Sequence, residues 1–358
     1  MPSVQTPMPS VRANLLAISL GRKWLSIARR MRLAGRSARC SLHVVSLERK
    51  LTVFTAILIL GLLPASIHAQ MVDDGVELSK GVLCTGSLYT HDAWDHYWEG
   101  KLNRTNGNLG TVTTQMITST ANYGVTKRLN VIGEVPFIWT NASQGVLHGQ
   151  HGVQDLTLAA KYRLLQFSGA RSGSLKVFGV VSGSIPIGSY DPDFQPMSIG
   201  LGAKTLTPRA TLNYEGMWGS YVDVSAAYVF RSNVTLDRSS YYTNGQLYLS
   251  NQVAMPNQLD YMVSAGYRKH DLMIVGNFAQ QQTRGGGDIR RQDMPFISNR
   301  MNYSKAGARV VIPIPHLKGF QYWFMYSNTI HGQNVGQANT FTSGLMYQIR
   351  LSGRGKTR

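Results

Sequence analysis

The side chains best suited to chemistry lie in one short stretch, from His91 to Glu99. It reads His-Asp-Ala-Trp-Asp-His-Tyr-Trp-Glu, so imidazoles and carboxylates are unusually dense there. Both groups are common ligands of Zn²⁺ and other divalent ions. His91 and His96 are five residues apart, and this spacing suits neither one face of a helix nor one face of a strand. We therefore interpret the stretch as an exposed loop and predict no metal site.

A second candidate for chemistry is the link at residues 147–152, which contains His148 and His151. A hydrolase would place a histidine beside a serine or an aspartate. In a barrel with the topology predicted below, the two histidines would share a rim with Asp92 and Asp95. No nucleophile motif accompanies them, so we predict no catalytic residue and keep a barrel hydrolase as the less favoured alternative.

The glycine run Gly285–Asp288 resembles a phosphate-binding loop only superficially. It lacks the Lys-Ser/Thr ending and the strand-to-helix setting that such a loop needs to hold a phosphate. We interpret it as a flexible loop, and the sequence predicts no cofactor.

Composition narrows the class of protein. The chain has 358 residues, of which 43% are hydrophobic and 15% charged, whereas soluble domains carry about 25% charged residues. No apolar run reaches the roughly 18 residues of a transmembrane helix, which excludes a polytopic helical membrane protein. Two classes remain, a soluble β-rich protein and a membrane β-barrel, whose spanning segments are recognised by alternation.

The first 70 residues carry +9 of the formal net charge of +18. Arg49 and Lys50 precede an apolar stretch, Leu51–Leu63, and Ala69 follows shortly after it. A basic region, a short apolar core and a small residue at the cut describe a secretory signal peptide. We predict a signal peptide at 46–69, after a basic extension at 1–45 that a mis-assigned translation start would explain. An exported chain loses such an extension, so we predict no nucleic-acid partner.

The rest of the chain alternates with a period of two, as half-buried strands do. In Asp155–Leu164, for example, apolar residues occupy every even position, and Lys161 and Arg163 lie on the other face. Runs of about 10 residues suit tilted membrane strands. We predict a twelve-stranded antiparallel transmembrane β-barrel over 70–351, followed by a basic tail at 352–358. The predicted strands lie near 80–90, 109–123, 128–139, 153–165, 174–186, 203–215, 218–231, 259–268, 271–280, 303–314, 319–330 and 339–351.

The links between these strands favour a barrel over a soluble sandwich. Short and long links alternate, as the periplasmic turns and extracellular loops of outer-membrane barrels do. Cys84 is the single cysteine after the leader, so no intramolecular disulfide staples the fold. Aromatic residues near the strand ends predict two interfacial girdles; they are Tyr123, Trp139, Tyr162, Tyr214, Trp218, Tyr228, Tyr267, Tyr322 and Trp323.

Three stretches carry a resemblance to a known family: Tyr123-Gly-Val-Thr-Lys-Arg-Leu129, Pro136-Phe137, and Gly152-Val-Gln-Asp-Leu156 running into Lys161-Tyr-Arg-Leu164. Over residues 77–351 the chain resembles outer-membrane transporter-like proteins associated with the meta-pathway of phenol degradation. The resemblance implies a β-barrel that moves small organic compounds and has no catalytic residues. It also implies outer-membrane lipids and the barrel-assembly machinery as partners, with small organic solutes as cargo.

If the polar face of each strand points inward, charged side chains line the pore with nine cations against four carboxylates. Rings of Arg or Lys favour anions, so a weak anion preference is one expectation; the alternative is that these charges pair and brace the wall. The predicted pore-lining residues are Arg128, Glu134, Asp155, Lys161, Arg163, Lys176, Arg209, Glu215, Asp223, Arg231, Lys305, Arg309 and Arg350.

The function that the sequence predicts is passive uptake of small organic compounds, including aromatic or anionic ones, across the bacterial outer membrane. We expect a narrow lumen, filled in part by side chains or by an inward-folded loop at 232–258 or 281–302. Pro136, Pro186 and Pro208 fall within predicted strands, where proline marks broken pairing, and a lateral gap in the wall would follow. A structural or adhesion barrel that displays loops with Tyr241 and Tyr242 exposed is the alternative.

Overall fold

A computed structural model describes residues 70–169, 173–290 and 294–351. The predicted basic extension, signal peptide and C-terminal tail lie outside the described residues. All the described residues belong to one compact unit. Among them, no helix is long and apolar enough to cross a membrane.

Twelve long strands form the body of the described chain, which confirms the predicted strand number and class. In chain order they are β1 Val82–Trp94, β2 Val112–Gly124, β3 Leu129–Ala142, β4 Asp155–Gly169, β5 Gly173–Pro186, β6 Thr205–Glu215, β7 Ser220–Arg231, β8 Gln258–Lys269, β9 Leu272–Thr283, β10 Asn302–Pro313, β11 Phe320–Gln333 and β12 Asn339–Arg350. Short strands in the links are His96–Glu99 with Leu102–Thr105, His151–Val153, Val234–Thr235 with Gln252–Val253, and Tyr241–Thr243 with Gln246–Tyr248.

Each long strand pairs antiparallel with the next, and β1 pairs with β12 to close the sheet. Closure joins Val82 to Arg350 at one end of the seam and Ala93 to Asn339 at the other. A closed barrel leaves no unpaired sheet edge, which is why it can span lipid, where backbone groups find no water.

Alternation along the strands separates an outer from an inner face. On β7, Val222, Val224 and Phe230 are exposed, whereas Tyr221 and Asp223, which alternate with them, are fully buried. Leu206 and Leu212 of β6 are also exposed on the outer face. Exposed apolar side chains around a closed sheet form a surface suited to lipid.

The connections differ between the two ends of the barrel. Links of six residues or fewer join β2 to β3, β4 to β5, β6 to β7, β8 to β9 and β10 to β11; we call this the turn end. The links at the other end, the loop end, run from five residues at 334–338 to 26 residues at 232–257. This is the predicted pattern. Strand β1 is longer than predicted and runs to Trp94, and His96–Glu99 forms a short strand, so the interpretation of His91–Glu99 as a loop was wrong for every residue except Asp95.

Aromatic side chains lie at both ends of the outer face. Tyr214 and Tyr267 are partly exposed near the turn end, and Trp218 in the adjoining turn is almost fully exposed. Phe230 and Phe341 are exposed toward the loop end. Trp323 departs from the predicted girdle, because it faces inward and is only 2% exposed. It alternates with Tyr322 and Phe324, which both face outward.

Candidate functional site

Residues 70–81 precede the first strand and lie inside the barrel, in its turn half. Asn122 of β2 donates from Nδ2 to the Gln70 carbonyl over 2.7 Å. On another side of the wall, the Gly75 amide donates to Asp223 Oδ2 of β7 over 2.9 Å. The segment therefore reaches strands far apart in the sheet, and we call it the inner segment. The predicted occupants of the lumen, loops 232–258 and 281–302, lie at the other end.

Ion pairs tie the inner segment to the wall. Lys161 Nζ lies 3.0 Å from Asp74 Oδ1 and donates to the Met71 carbonyl over 2.8 Å. Arg309 approaches Asp74 Oδ2 at 3.6 Å, and Arg163 Nη1 lies 2.6 Å from a Glu77 oxygen. Buried charges are tolerated only when paired, so these cations and the segment's carboxylates hold each other in place.

Apolar packing reinforces these pairs. Val76 and Leu78 of the inner segment are buried against inward side chains that include Met273, Val275 and Trp323. Each apolar side chain buried in this way contributes about 1.5–3 kcal/mol. Several strands thus turn apolar residues inward, so the expectation that polar faces point inward was wrong for this side of the barrel. The reason is that the inner segment supplies a hydrophobic partner there.

Most of the predicted pore-lining residues project inward, and two do not line the wall. Arg128 lies in the exposed turn between β2 and β3, outside both strands, where its amide donates to Thr126 Oγ1. Arg350 is the last residue of β12 and is exposed at the turn end. The residues on inward faces are Glu134, Asp155, Lys161, Arg163, Lys176, Arg209, Glu215, Asp223, Arg231, Lys305 and Arg309.

The predicted positive excess is offset by carboxylates that the alternation argument missed. The inner segment contributes Asp73, Asp74 and Glu77, and the strands contribute inward Asp92 and Asp260. A feature of the sequence that could have predicted the inner segment is charge complementarity, because three acidic residues lie just before a barrel whose inner wall is basic. The alternative expectation, that the charges pair, describes the turn half of the lumen.

Three inward cations in the loop half have no such partner. Arg209 Nη1 donates to Ser225 Oγ over 2.7 Å, and Arg231 donates to Gln258. Lys305 lies with its ammonium 5.2 Å from the centre of a tyrosine ring. None of the three forms an ion pair with a carboxylate of the described residues. Asp260 acts electrostatically on Arg209 and Arg231 without a direct ion pair, and all three cations face the lumen of the loop half.

The loop 187–204 folds over the inner rim of the loop end. Thr140, which faces inward at the end of β3, donates to the Met197 carbonyl over 2.7 Å. The Tyr190 hydroxyl donates to Asp155 Oδ1 over 2.6 Å and accepts from the Gly202 amide at 3.2 Å. Burial raises the pKa of Tyr190 above its usual range, and the hydrogen bond to Asp155 acts in the same direction. Tyr190 therefore stays protonated and keeps the loop tied to β4.

The other long loops pack against this one through an apolar cluster. Tyr241 stacks on Phe296 at 5.2 Å and on Tyr248 at 5.1 Å between ring centres, and Ala203 packs into the same cluster. Tyr242 is exposed as predicted, but Tyr241 is buried at 8% exposure. The reason is that loops 187–204, 232–257 and 284–301 form a small core of their own at the loop end.

The pairing between β6 and β7 is interrupted at Pro208. Arg209 pairs with Ala227 and Leu206 with Phe230, but the two positions between them on each strand are unpaired. Proline has no amide hydrogen to donate to the ladder. Pro136 also lies at a change of partner, because β3 pairs with β4 up to Glu134 and with 151–153 beyond it. Pro186 is the last residue of β5 and interrupts nothing.

The histidines and carboxylates considered for a metal site or a hydrolase do not come together in the described structure. Within the described ranges, no group of three or more His, Cys, Asp or Glu side chains is placed to hold a metal ion. Asp95 bonds to its neighbour His96 at 2.9 Å, and Asp92 accepts from Thr340. Neither His148 nor His151 bonds through its side chain to a described serine or carboxylate. The geometry that a hydrolase requires is therefore not assembled by these side chains.

Comparison with known proteins supports the fold. The COG4313 outer membrane channel from Pseudomonas putida F1 superimposes with a TM-score of 0.62 at 13% identity, over 80% of this chain and all of that one. The translocator domain of the autotransporter NalP from Neisseria meningitidis gives 0.39 at 10% identity, over 76% of this chain and 89% of its own. The TodX monoaromatic hydrocarbon channel, as a deletion mutant, gives 0.39 at 9%, over 76% and 91%. No family model and no curated protein matches the sequence. The chain thus has the fold of bacterial outer-membrane barrels.

Proposed function

We propose that this protein is a bacterial outer-membrane channel for passive uptake of small organic compounds, with aromatic compounds of phenol breakdown as the expected cargo. The observation that carries the proposal is the inner segment, which fills the turn half of the lumen with buried apolar and paired charged side chains. A wide aqueous pore for polar solutes would not be filled in this way. The resemblance to transporter-like proteins of phenol degradation supports the cargo.

A filled turn half requires another exit, and the wall between β6 and β7 supplies one. The unpaired stretch beside Pro208 lies within the band of outward apolar side chains, near exposed Leu206 and Phe230. Fewer backbone hydrogen bonds hold the two strands together here than elsewhere along the same pair. An apolar solute that enters from the loop end would leave sideways into the membrane at this break.

A cross-linking experiment tests this route. In a Cys84→Ala background, cysteines replace Leu206 and Phe230, the paired residues that border the break, so that Pro208 is retained, and a short bismaleimide joins them. The matched control replaces Leu212 and Val224, which are directly paired on the same two strands. Entry of a radiolabelled monoaromatic compound into cells is measured before and after cross-linking, and retention of the fold is checked by the shift between unboiled and boiled samples on a gel.

Loss of uptake only for the pair at the break supports lateral release. Equal uptake in both cross-linked proteins excludes the sideways route. Uptake that never exceeds that of cells without the protein contradicts the channel itself. In that case the barrel that displays its loops is the better account.

A further inference from the structure

A hollow of about 620 Å³ lies at the loop end of β9, β10 and β11. Its lining combines three cations with amide, hydroxyl and imidazole groups. Its charged and polar side chains include Lys101, Gln280, Gln282, Arg284, Arg300 and His331.

The register places Gln280, Gln282, Ser304 and His331 of this hollow on the outer face of the barrel, whereas Gln281, Thr283 and Tyr303, which alternate with them, lie on the inner face. Phe278 is exposed on the outer face of β9, and alternation carries that face on to Gln280 and Gln282. Gln280 is directly opposite Ser304 of β10, which is directly opposite His331 of β11. Directly opposite residues share a face of the sheet, so the side of the hollow that holds Gln280, Ser304 and His331 adjoins the outer surface of the wall.

The hollow carries positive charge without compensation. Lys101, Arg284 and Arg300 line it, and no Asp or Glu is among its lining residues. None of the three cations forms an ion pair with a carboxylate of the described residues. Arginine and lysine bind phosphate through charge-assisted hydrogen bonds, while glutamine amides and serine hydroxyls suit the hydroxyl groups of a sugar. The lining therefore matches a phosphorylated saccharide.

The position of the hollow along the membrane normal indicates which molecule would present a phosphorylated saccharide to it. Gln280 follows Phe278 at the loopward edge of the apolar band, and Ile330, next to His331, is 53% exposed. This level is the boundary between acyl chains and headgroups, where basic side chains recognise lipid headgroups. In the outer leaflet of a bacterial outer membrane that headgroup is a phosphorylated disaccharide. We propose that the hollow binds the phosphorylated sugar headgroup of lipid A. The inference rests on the outer-membrane location contained in the proposed function, but not on uptake.

The test is binding of bisphosphorylated lipid A to the protein purified from membranes in detergent, measured by native mass spectrometry. The site variant combines Lys101→Ala, Arg284→Ala and Arg300→Ala. The matched control removes three exposed lysines at the turn end, through Lys127→Ala, Lys269→Ala and Lys318→Ala, for the same change in charge. Because hydrogen bonds to charged groups are the strong ones, we expect at least about tenfold weaker binding for the site variant and wild-type binding for the control.

Two further ligands test whether the hollow recognises the sugar headgroup or only negative charge. Phosphatidylglycerol offers an anionic headgroup without the sugar, and inorganic pyrophosphate offers phosphate without a lipid; both should bind more weakly than lipid A and respond little to the site variant. Gln280→Ala with Gln282→Ala keeps every charge and should also weaken lipid A binding, which covers the case in which the triple variant does not fold. Equal losses in the site and control variants, or wild-type binding by both site variants, would overturn the proposal. Uptake of a monoaromatic compound, measured in parallel, reports separately on the channel.

Discussion

Lys161 Nζ of β4 lies 3.0 Å from Asp74 Oδ1 of the inner segment, and both side chains are buried, at 0% and 1% exposure. The two residues are 87 positions apart in the chain. This pair joins the segment that enters the lumen to the middle of the wall, and it lies beside a second cation, Arg309. Whether the turn half of the lumen is filled depends on contacts of this kind.

Lys161→Met should release the inner segment. Asp74 then keeps only Arg309, at 3.6 Å, so the cost should be below the roughly 3–5 kcal/mol of a buried charge that loses its sole partner. We expect a larger single-channel conductance in a planar bilayer than for the wild type, whereas Lys318→Met, at the exposed turn end, should leave conductance unchanged. Wild-type conductance in folded Lys161→Met would refute this role.

Gly75→Ala should displace the same segment by a steric route. A methyl group at residue 75 would lie 2.3 Å from Asn213 Cβ and 2.5 Å from Asp223 Oδ1, so the backbone would have to move. Gly276→Ala is the control, because its added methyl meets no atom closer than 3.9 Å. Protease sensitivity of the N-terminal segment in the detergent-solubilised protein should rise for Gly75→Ala alone. Equal sensitivity of the two variants would show that residue 75 does not dock tightly.

Charge reversal should separate the two groups of inward cations. Arg209→Glu with Lys305→Glu alters cations that form no ion pair with a described carboxylate, so the reversal potential in a salt gradient should move toward cation preference. Arg163→Glu instead opposes Glu77, its partner at 2.6 Å, and should change conductance through the inner segment. An unchanged reversal potential in the first variant would show that these cations do not act on passing ions.

Tyr241→Ala should loosen the loops at the loop end. Truncation of a buried aromatic side chain costs about 3–5 kcal/mol, and Tyr241 stacks on both Phe296 and Tyr248. Its neighbour Tyr242 is 56% exposed, so Tyr242→Ala provides a control with the same change in side chain. Amide hydrogen exchange in residues 294–301 should be faster for Tyr241→Ala only. Slow exchange in both variants would mean that the loop core does not depend on this ring.

Much of the architecture was predictable because alternation is local. A strand shows its two faces within ten residues, so the twelve strands and the long loops at one end followed from patterns such as that around Lys161. The signal peptide stays a prediction, as it lies outside the described residues. The outer surface was also largely predictable, since contact with lipid requires every strand to have an apolar outward face.

The inner face was harder to predict because its partner comes from elsewhere in the chain. Trp323 and Met273 face inward because Val76 and Leu78 cover them, and no local pattern records that contact. Likewise Tyr241 is buried only because three loops meet at one end.

The sequence by itself determined the barrel, its strand number and the end that bears the loops, since these follow from period, length and link size. The tertiary structure alone decided which charges are paired, what fills the lumen and where the ladder breaks. Those features depend on residues far apart in the chain being brought within about 3–4 Å, the range over which hydrogen bonds and ion pairs act, and only the closed sheet sets such distances.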